Sequence, residues 1–121
     1  MKNKILLIDD EAEIRRLLER ALTQRGYRVF AAASGTEAKC IAKENAPDLI
    51  ICDLQMEDTD GLLLIEELKE SAPDTPIMLL TGVFFDPETI RETISKKVSV
   101  YVNKTEPLGQ IMKEVDRLCR S

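Results

Sequence analysis

The sequence predicts an α/β domain with a flavodoxin-like fold, in which helices cover both faces of a doubly wound parallel sheet. Two observations carry this prediction. Short apolar runs alternate five times with segments of helical periodicity, and short connections join them, which is typical of βα units with right-handed crossovers. The chain has 121 residues, of which 44% are hydrophobic and 32% charged. These values suit one globular domain over residues 1–121.

The first βα unit begins with the apolar run Ile5-Leu6-Leu7-Ile8, which has the length of a buried strand. Gly26 provides the stop signal of the helix that follows. The face of this helix expected to turn inward carries Ile14, Leu17, Leu18, Ala21 and Leu22.

Capping signals mark the second and third units. Residues 27–32 predict a strand of mixed polarity, and Ser34-Gly35-Thr36-Glu37 has the spacing of a capping box that opens a helix. Pro47 precedes the apolar third strand, and Asp60-Gly61 opens the third helix. The inward residues are expected to be Ala38, Ile41 and Ala42 in the second helix and Leu64, Ile65 and Leu68 in the third, which Ser71-Ala72-Pro73 ends.

The fourth strand is the apolar run at residues 77–80, and Asp86-Pro87-Glu88 has an N-cap residue followed by proline at the first helical position. The fifth strand, residues 98–102, mixes polar and apolar residues as the second does. Mixed strands suit the edges and apolar strands the centre, which favours the order 2-1-3-4-5 with its switch point between strands one and three. The inner face of the last helix carries Leu108, Ile111, Met112, Val115 and Leu118.

Polar residues stand at the carboxyl ends of four strands: Asp9-Asp10 after the first, Asp53 after the third, Thr81 after the fourth and Lys104 after the fifth. In an open parallel sheet these ends share one crevice. Clustered carboxylates repel one another unless a cation neutralises them, and oxygen ligands without His or Cys favour Mg²⁺. With a hydroxyl and an amine nearby, the pattern predicts a phosphoryl-transfer site whose nucleophile is an Asp.

Taken one at a time, these residues also have structural explanations. Asp10 suits the N-cap of the first helix, Asp53 a turn, Thr81 a local cap, and Lys104 the protection of an edge strand. Their occurrence together, at matching ends of four strands, favours the functional explanation.

The same motifs, in this order and spacing, resemble the receiver domain of two-component response regulators over essentially the whole chain. The resemblance implies that Asp53 accepts a phosphoryl group from a histidine kinase or a phosphotransfer protein. The matching stretches are Ile5-Leu6-Leu7-Ile8-Asp9-Asp10-Glu11, Asp53-Leu54-Gln55-Met56 with Asp60-Gly61, Thr81-Gly82 and Tyr101-Val102-Asn103-Lys104.

The resemblance also implies a metal and phosphoryl site. Thr81 and Lys104 are expected to contact the phosphoryl oxygens, and Gly82 belongs to the same site, where it is too small to obstruct the group. The expected Mg²⁺ ligands are Asp10, Asp53 and the backbone carbonyl of Gln55, with Asp9 acting through a bound water.

Signalling in this family implies a switch and partners. Tyr101 is expected to change rotamer when Thr81 moves, so that the fourth helix, fifth strand and fifth helix form the signalling surface. The expected partners are the phosphodonor, a downstream output domain or protein, and a phosphorylation-dependent second copy. The chain is expected to be no enzyme but a phosphoacceptor with autocatalytic phosphotransfer and autodephosphorylation.

The sequence departs from the family pattern at several positions, none of which removes a group expected to contact metal or phosphate. Lys104 is followed by Thr105-Glu106 rather than directly by proline, which affects the cis peptide expected there. The apolar stretch Val83-Phe84-Phe85 suits packing over the core edge or partner docking. The remaining departures are Glu57 for proline, Gly82 for alanine and Lys97-Val98 for Gly-Ala.

Composition excludes several classes of function. The net charge of -5 disfavours direct binding to nucleic acid or anionic lipid. The chain has no His, and its three Cys lack metal-ligand spacing, which predicts reduced buried thiols and no zinc site. The first apolar run is too short for a signal peptide or a membrane span, so we expect a cytoplasmic protein.

Three other functions remain open from the sequence. A Mg²⁺-dependent phosphohydrolase of the haloacid dehalogenase type also uses an Asp nucleophile, but there two aspartates stand one residue apart, whereas Asp9 and Asp10 are adjacent. A flavin-binding module needs a phosphate-binding loop after the first strand, where this chain is acidic. The third is a receiver-like docking module that is never phosphorylated.

Overall fold

The computed structural model describes residues 3–56, 59–82, 86–89, 91–92 and 95–120. Its main sheet has five parallel strands: β1 (Lys4–Ile8), β2 (Arg28–Ala32), β3 (Leu49–Cys52), β6 (Ile77–Thr81) and β7 (Val100–Asn103). Their spatial order is β2-β1-β3-β6-β7. Counted within this sheet alone, that is the predicted order 2-1-3-4-5, with the mixed strands at the two edges.

The described helices alternate with the strands. Their apolar faces and caps place these helices at the positions that the sequence periodicity predicted. They are α1 (Ala12–Gln24), α2 (Gly35–Asn45), α3 (Gly61–Ser71), α4 (Pro87–Thr89), α5 (Ser95–Lys97) and α6 (Leu108–Arg120). Between β6 and β7, helical residues are described at Pro87–Thr89, 91–92 and Ser95–Lys97.

The predicted helix caps form, although the Glu37 carboxylate binds a different backbone N–H from the one expected in a capping box. The Ser34 hydroxyl accepts a hydrogen bond from the Glu37 backbone N–H at 3.2 Å. The Glu37 carboxylate returns to the N–H of Ala33 at 3.0 Å, one residue before the N-cap. Asp60 caps α3 by accepting from the N–H groups of Leu62 and Leu63.

The core consists of two apolar layers, one on each face of the sheet. One layer joins inward residues of α1 and α6 to alternate strand residues, among them Ile5, Ile51 and Met78. The other joins α2 and α3 to the opposite strand face, among them Leu6, Ile50 and Leu79. The central strands β1, β3 and β6 are buried on both faces, as their continuous apolar sequences predicted.

Several sequence predictions were wrong in detail. Leu17 and Leu108 are 55% and 38% exposed. Leu17 lies at the margin of the apolar stripe of α1, and Leu108 is the first residue of α6. Tyr27 precedes β2 instead of belonging to it, and its hydroxyl donates to Asp116 Oδ1 at 2.5 Å. The last strand begins at Val100, two residues later than predicted, although the Ser99 N–H already donates to the Ile77 carbonyl.

A small hairpin that the sequence analysis did not predict lies before α3. Its strands are β4 (Gln55–Met56) and β5 (Thr59–Asp60), paired antiparallel. The backbone of Leu54 passes so close to Gly61 that a Cβ there would lie 2.3 Å from the Leu54 carbonyl oxygen. Only glycine fits this approach, which explains the Asp60-Gly61 pair at the helix start.

Candidate functional site

Two neighbouring strands place the two most buried carboxylates. Ile8 of β1 pairs with Cys52 of β3, so Asp9 and Asp53 follow side by side at the carboxyl edge of the sheet. The Asp53 N–H donates to the Ile8 carbonyl at 3.0 Å and fixes this alignment. Asp9 and Asp53 are only 1% and 2% exposed. The pairing register thus brings together the groups that the sequence placed at strand ends.

Asp9 is held by several hydrogen bonds. Its Oδ1 accepts from the N–H of Glu11 at 2.9 Å, and its backbone carbonyl accepts from the Arg15 guanidinium at 2.7 Å. Its Oδ2 lies 3.0 Å from the amine of Lys104. Both carboxylate oxygens of Asp9 therefore already have partners within the protein.

Asp10 completes an acidic cluster with these two residues. One carboxylate oxygen from each of Asp9, Asp10 and Asp53 lies within 4.8 Å of the others. Helix α1 begins at Ala12 with Glu11 at its N-cap position, so Asp10 lies one residue before that position. Oxygen donors at this spacing, without nitrogen or sulfur, fit a hard divalent cation such as Mg²⁺.

Lys104 spans the mouth of this cluster. Its Nζ lies 3.0 Å from Asp53 Oδ2, 3.0 Å from Asp9 Oδ2 and 2.8 Å from Glu11 Oε1. The Lys104 N–H donates to the Thr81 carbonyl at 2.9 Å, which ties the end of β7 to the end of β6. The predicted convergence of the strand-end groups is thus present in the fold.

Two opposing effects act on the Lys104 amine. Burial lowers its pKa, whereas hydrogen bonds to Glu11, Asp53 and Asp9 raise it. The hydrogen bonds dominate, so the pKa of Lys104 lies above its usual value. The amine therefore carries a full positive charge next to Asp53 at any physiological pH.

Thr81 and Gly82 lie on the neighbouring strand end. Thr81 is fully buried as the last residue of β6, and β6 pairs directly with β3. Gly82 is exposed, and a Cβ at this position would meet nothing within 4 Å. The alanine that is common at this position in the receiver-domain family would therefore fit as well as glycine does.

Tyr101 lies on the edge strand beside Thr81. It is half-buried against the layer that contains α2 and α3, and its hydroxyl lies 3.5 Å from Asn103 Nδ2. Asn103 is paired with Thr81 in the sheet, and its Oδ1 accepts from the Thr105 N–H at 2.9 Å. Asn103 thus connects Tyr101 to the strand end that carries Lys104.

Some predicted features lie outside the described residues. Glu57 and the apolar stretch at residues 83–85 are among them. Gln55 lies in β4, two residues after Asp53, at the position from which its backbone carbonyl was expected to act. No cis peptide bond occurs in the described residues, which include Lys104 and Thr105.

Sequence reasoning missed three residues of this site. Glu11 was quoted only as part of a motif, yet its side chain reaches Lys104 across 93 positions of the chain. Arg15 holds the Asp9 carbonyl, and Asn103 contacts Tyr101. The Glu11 contact depends on how separate βα units meet, whereas the Arg15 and Asn103 contacts lie within six residues of the chain and have no motif of their own.

Cys52 immediately precedes Asp53 and is fully buried. Desolvation, followed by the charges of Asp53 and Asp9, raises the pKa of the Cys52 thiol to about 12. The thiol is therefore protonated and unreactive at neutral pH. Cys119 is also buried, but Cys40 is exposed, contrary to the prediction of three buried thiols.

The chain is similar in sequence to known response regulators. The response regulator receiver domain model matches residues 5–116. A probable transcriptional regulator ycf27 of Porphyridium aerugineum is 48% identical over 82 residues, covering 68% of this chain and 34% of the relative. The response regulator MprA of Mycobacterium sp. (strain KMS) is 33% identical over 82% of this chain and 40% of its own length.

Solved structures show the same likeness. The chemotaxis protein CheY4 of Vibrio cholerae is 28% identical, with a TM-score of 0.87 over 98% of this chain and 99% of that chain. The response regulator TrrA of Thermotoga maritima, solved in complex with Mg²⁺-BeF, is 30% identical, with a TM-score of 0.84 over 96% of this chain and 98% of that one. The chain thus spans about a third of the curated regulators it first matches and nearly all of these structures.

None of the helices described here has the length and apolar character needed to cross a membrane.

Proposed function

The chain belongs to the receiver-domain family of two-component response regulators, and we propose that it accepts a phosphoryl group on Asp53. The observation that carries this proposal is the placement of Asp53: buried to 2% exposure, beside Asp9 and in contact with the Lys104 amine at 3.0 Å. The donor is a histidine kinase or a phosphotransfer protein, as in the family. In this role the chain is a phosphoacceptor with autocatalytic phosphotransfer and autodephosphorylation.

The covalent step uses a carboxylate oxygen of Asp53 as the nucleophile. This oxygen bonds to phosphorus while the bond from phosphorus to the donor's imidazole nitrogen breaks, and the imidazole leaves with the electron pair. Lys104 balances the charge that accumulates on the phosphoryl oxygens, because its amine lies at the mouth of the site. The Thr81 hydroxyl is the second donor toward these oxygens.

The residues present also fit the Mg²⁺ that this family uses. Asp10 and Asp53, with the backbone carbonyl of Gln55, would hold the ion, while Asp9 would act through a bound water. Both oxygens of Asp9 already accept from Glu11 and Lys104, which supports its indirect role. When bound, Mg²⁺ would neutralise the carboxylates and the charge that develops on the phosphoryl group.

We extend the proposal to the output surface, which comprises the segment from residue 86 to Lys97, β7 and α6. Thr81 ends β6 just before that segment, and Tyr101 lies on the adjacent edge strand. A Thr81 drawn toward a phosphoryl oxygen would shift the loop after β6 and leave space for the ring of Tyr101. A few kcal/mol between the two arrangements suffices for phosphorylation to change their populations.

The relatives are about twice as long as this chain, so output is proposed to reach a further domain, a partner protein or a second copy. The acidic charge argues against direct contact with nucleic acid by this domain. A cytoplasmic location completes the proposal, because a cytoplasmic kinase domain is the expected donor.

Phosphorylation can be tested with acetyl phosphate and Mg²⁺. The parent chain should gain one phosphoryl group by intact mass, and Asp53→Asn should gain none. Asp74→Asn, which removes the same charge at an exposed turn, is the matched control and should label as the parent does. Labelling of the Asp53→Asn variant at the parent level would refute the assignment.

Metal binding needs a separate test, with Asp10→Asn as the variant. Removing one charge from the cluster should raise Tm without metal and weaken Mg²⁺ affinity in a calorimetric titration. Parent-like Mg²⁺ affinity in this variant would mean that Asp10 has only a structural role at the start of α1.

The switch can be followed by backbone NMR shifts on adding beryllium fluoride and Mg²⁺. We expect changes around Asp10 and Asp53 and also across residues 83–106. Changes confined to the loops that carry the carboxylates would exclude signal transmission along the Thr81–Tyr101 route while leaving phosphate binding intact.

A further inference from the structure

The Glu11 side chain has an unusual partner for its position. Glu11 stands at the N-cap of α1, where a side chain ordinarily accepts from the first free N–H groups of its own helix. It makes no such bond. Its carboxylate instead contacts Lys104 Nζ at 2.8 Å, the shortest of the three contacts of that amine.

The Lys104 amine is saturated in this arrangement. An ammonium group has three N–H donors, and three carboxylates lie within 3.0 Å of this one. A phosphoryl oxygen that arrives at Asp53 must therefore take a donor from one of them. The amine is thus engaged before any phosphoryl group is present.

Exposure distinguishes the three carboxylates. The side chains of Asp9 and Asp53 are 2% exposed, whereas that of Glu11 is 57% exposed. Water can replace the lysine at Glu11 at little cost, while a buried carboxylate that loses its partner is left poorly solvated. Glu11 is therefore the partner that Lys104 can most readily release.

We propose that Glu11 is a positioning residue that restrains Lys104 and competes with the phosphoryl group for its amine. The inference rests on the proposed phosphoryl site and adds a residue that opposes its occupancy. The backbone supports the restraint, because the Glu11 N–H is bound to Asp9 Oδ1 and its carbonyl accepts from the Arg15 N–H at 2.9 Å. The side chain thus extends toward Lys104 from a fixed base.

Two variants of Glu11 separate the hydrogen bond from the charge. Glu11→Gln removes the charge. Glu11→Asp keeps the charge but shortens the side chain, and Asp at an N-cap favours the N–H groups of Glu13 and Ile14 over a distant amine. Glu13→Gln is the matched control, because it removes the same charge from an exposed residue two positions along α1.

The measurement is the affinity for beryllium fluoride at saturating Mg²⁺, followed by NMR. Because an exposed ion pair is released, both Glu11 variants should bind about twofold to fivefold more tightly than the parent. Glu13→Gln should match the parent. The Glu11→Asp variant should also have a higher Tm, which would verify that its carboxylate now caps α1.

Three outcomes overturn the inference while leaving the proposed function intact. Parent-like affinity in Glu11→Asp, with tighter binding in Glu11→Gln, would mean that only charge matters. An equal gain in beryllium fluoride affinity in Glu11→Gln and Glu13→Gln would also mean that only charge matters. Unchanged or weaker affinity in both Glu11 variants would remove any competition. A parent chain that binds no beryllium fluoride with Mg²⁺ would instead refute the phosphoryl site and this inference together.

Discussion

Helices α3 and α4 begin in the same way, but their described residues differ in burial. Each has an aspartate cap: Asp60 accepts from two N–H groups of α3, and Asp86 accepts from the Thr89 N–H at 2.8 Å. Yet α3 buries side chains along its inner face, whereas none of the residues described in α4 is buried. The cap fixes where a helix starts, and tertiary packing of an apolar face supplies most of its stability.

The difference bears on signalling. Between Thr81 and Val98, none of the side chains that the structure describes is buried. Helix α3, by contrast, packs Leu64, Ile65 and Leu68 into the core. Among the described residues, helix packing into the core is therefore seen on the α3 side of Asp53.

The largest effect should come from removing the apolar anchor of α3. Ile65 is fully buried, so Ile65→Ala should lower the free energy of unfolding by about 2 to 5 kcal/mol. Glu88→Ala, at an exposed position of α4, should leave it unchanged. Urea denaturation measures both. Comparable losses in the two variants would contradict the contrast between the helices.

The next effect concerns the start of α3. Gly61→Ala places a Cβ against the Leu54 backbone and should destabilise the fold by about 1 to 3 kcal/mol, as overpacking does. Gly82→Ala meets nothing within 4 Å and is the control. If Gly61→Ala were as stable as the parent by the same denaturation, the close approach would not constrain the chain.

Loss of the α3 cap should have a smaller effect. Asp60→Ala leaves the N–H groups of Leu62 and Leu63 without their acceptor and should lower the free energy of unfolding by about 1 kcal/mol. Asp60→Asn keeps an acceptor oxygen and should retain most of the stability. A loss in the Asn variant equal to that in Ala would indicate that charge, not capping, stabilises the helix start.

The smallest effect should be local to α4 and dependent on pH. Hydrogen bonds from the Thr89 backbone and side chain hold the pKa of Asp86 below its ordinary value. Because the pKa is lower in the folded state, this stabilisation is fully present above the ordinary pKa of about 4 and is lost as the pH falls through the folded value. The Thr89 amide chemical shift of the parent should change in that acidic range. The accompanying change in the parent's Tm should be no larger than the change that Asp86→Asn causes. A Thr89 shift that titrates unchanged in Asp86→Asn would disprove the cap.

Much of the fold and of the site could be predicted from the sequence, for reasons that are local. Short apolar runs, helical periodicity, the Ser34 capping box and the Asp60-Gly61 helix start all act within a few residues, so the elements and their order follow from them. Parallel pairing then brings any residue at a strand's carboxyl end to one edge, which is why Asp9, Asp53 and Lys104 were expected together and lie together.

Only the tertiary structure decided which of these groups touch and what holds them. The contact from Glu11 to Lys104 and the exposure of Leu17 depend on how separate units pack. The approach of Leu54 to Gly61 depends on the hairpin between them, which the sequence analysis did not predict. A side chain at a helix start has several acceptors and donors within reach, and its sequence does not rank them. Because β7 pairs with β6, the Lys104 amine lies within reach of Glu11. The Glu11 carboxylate contacts this amine instead of capping its own helix, and this contact completes the site.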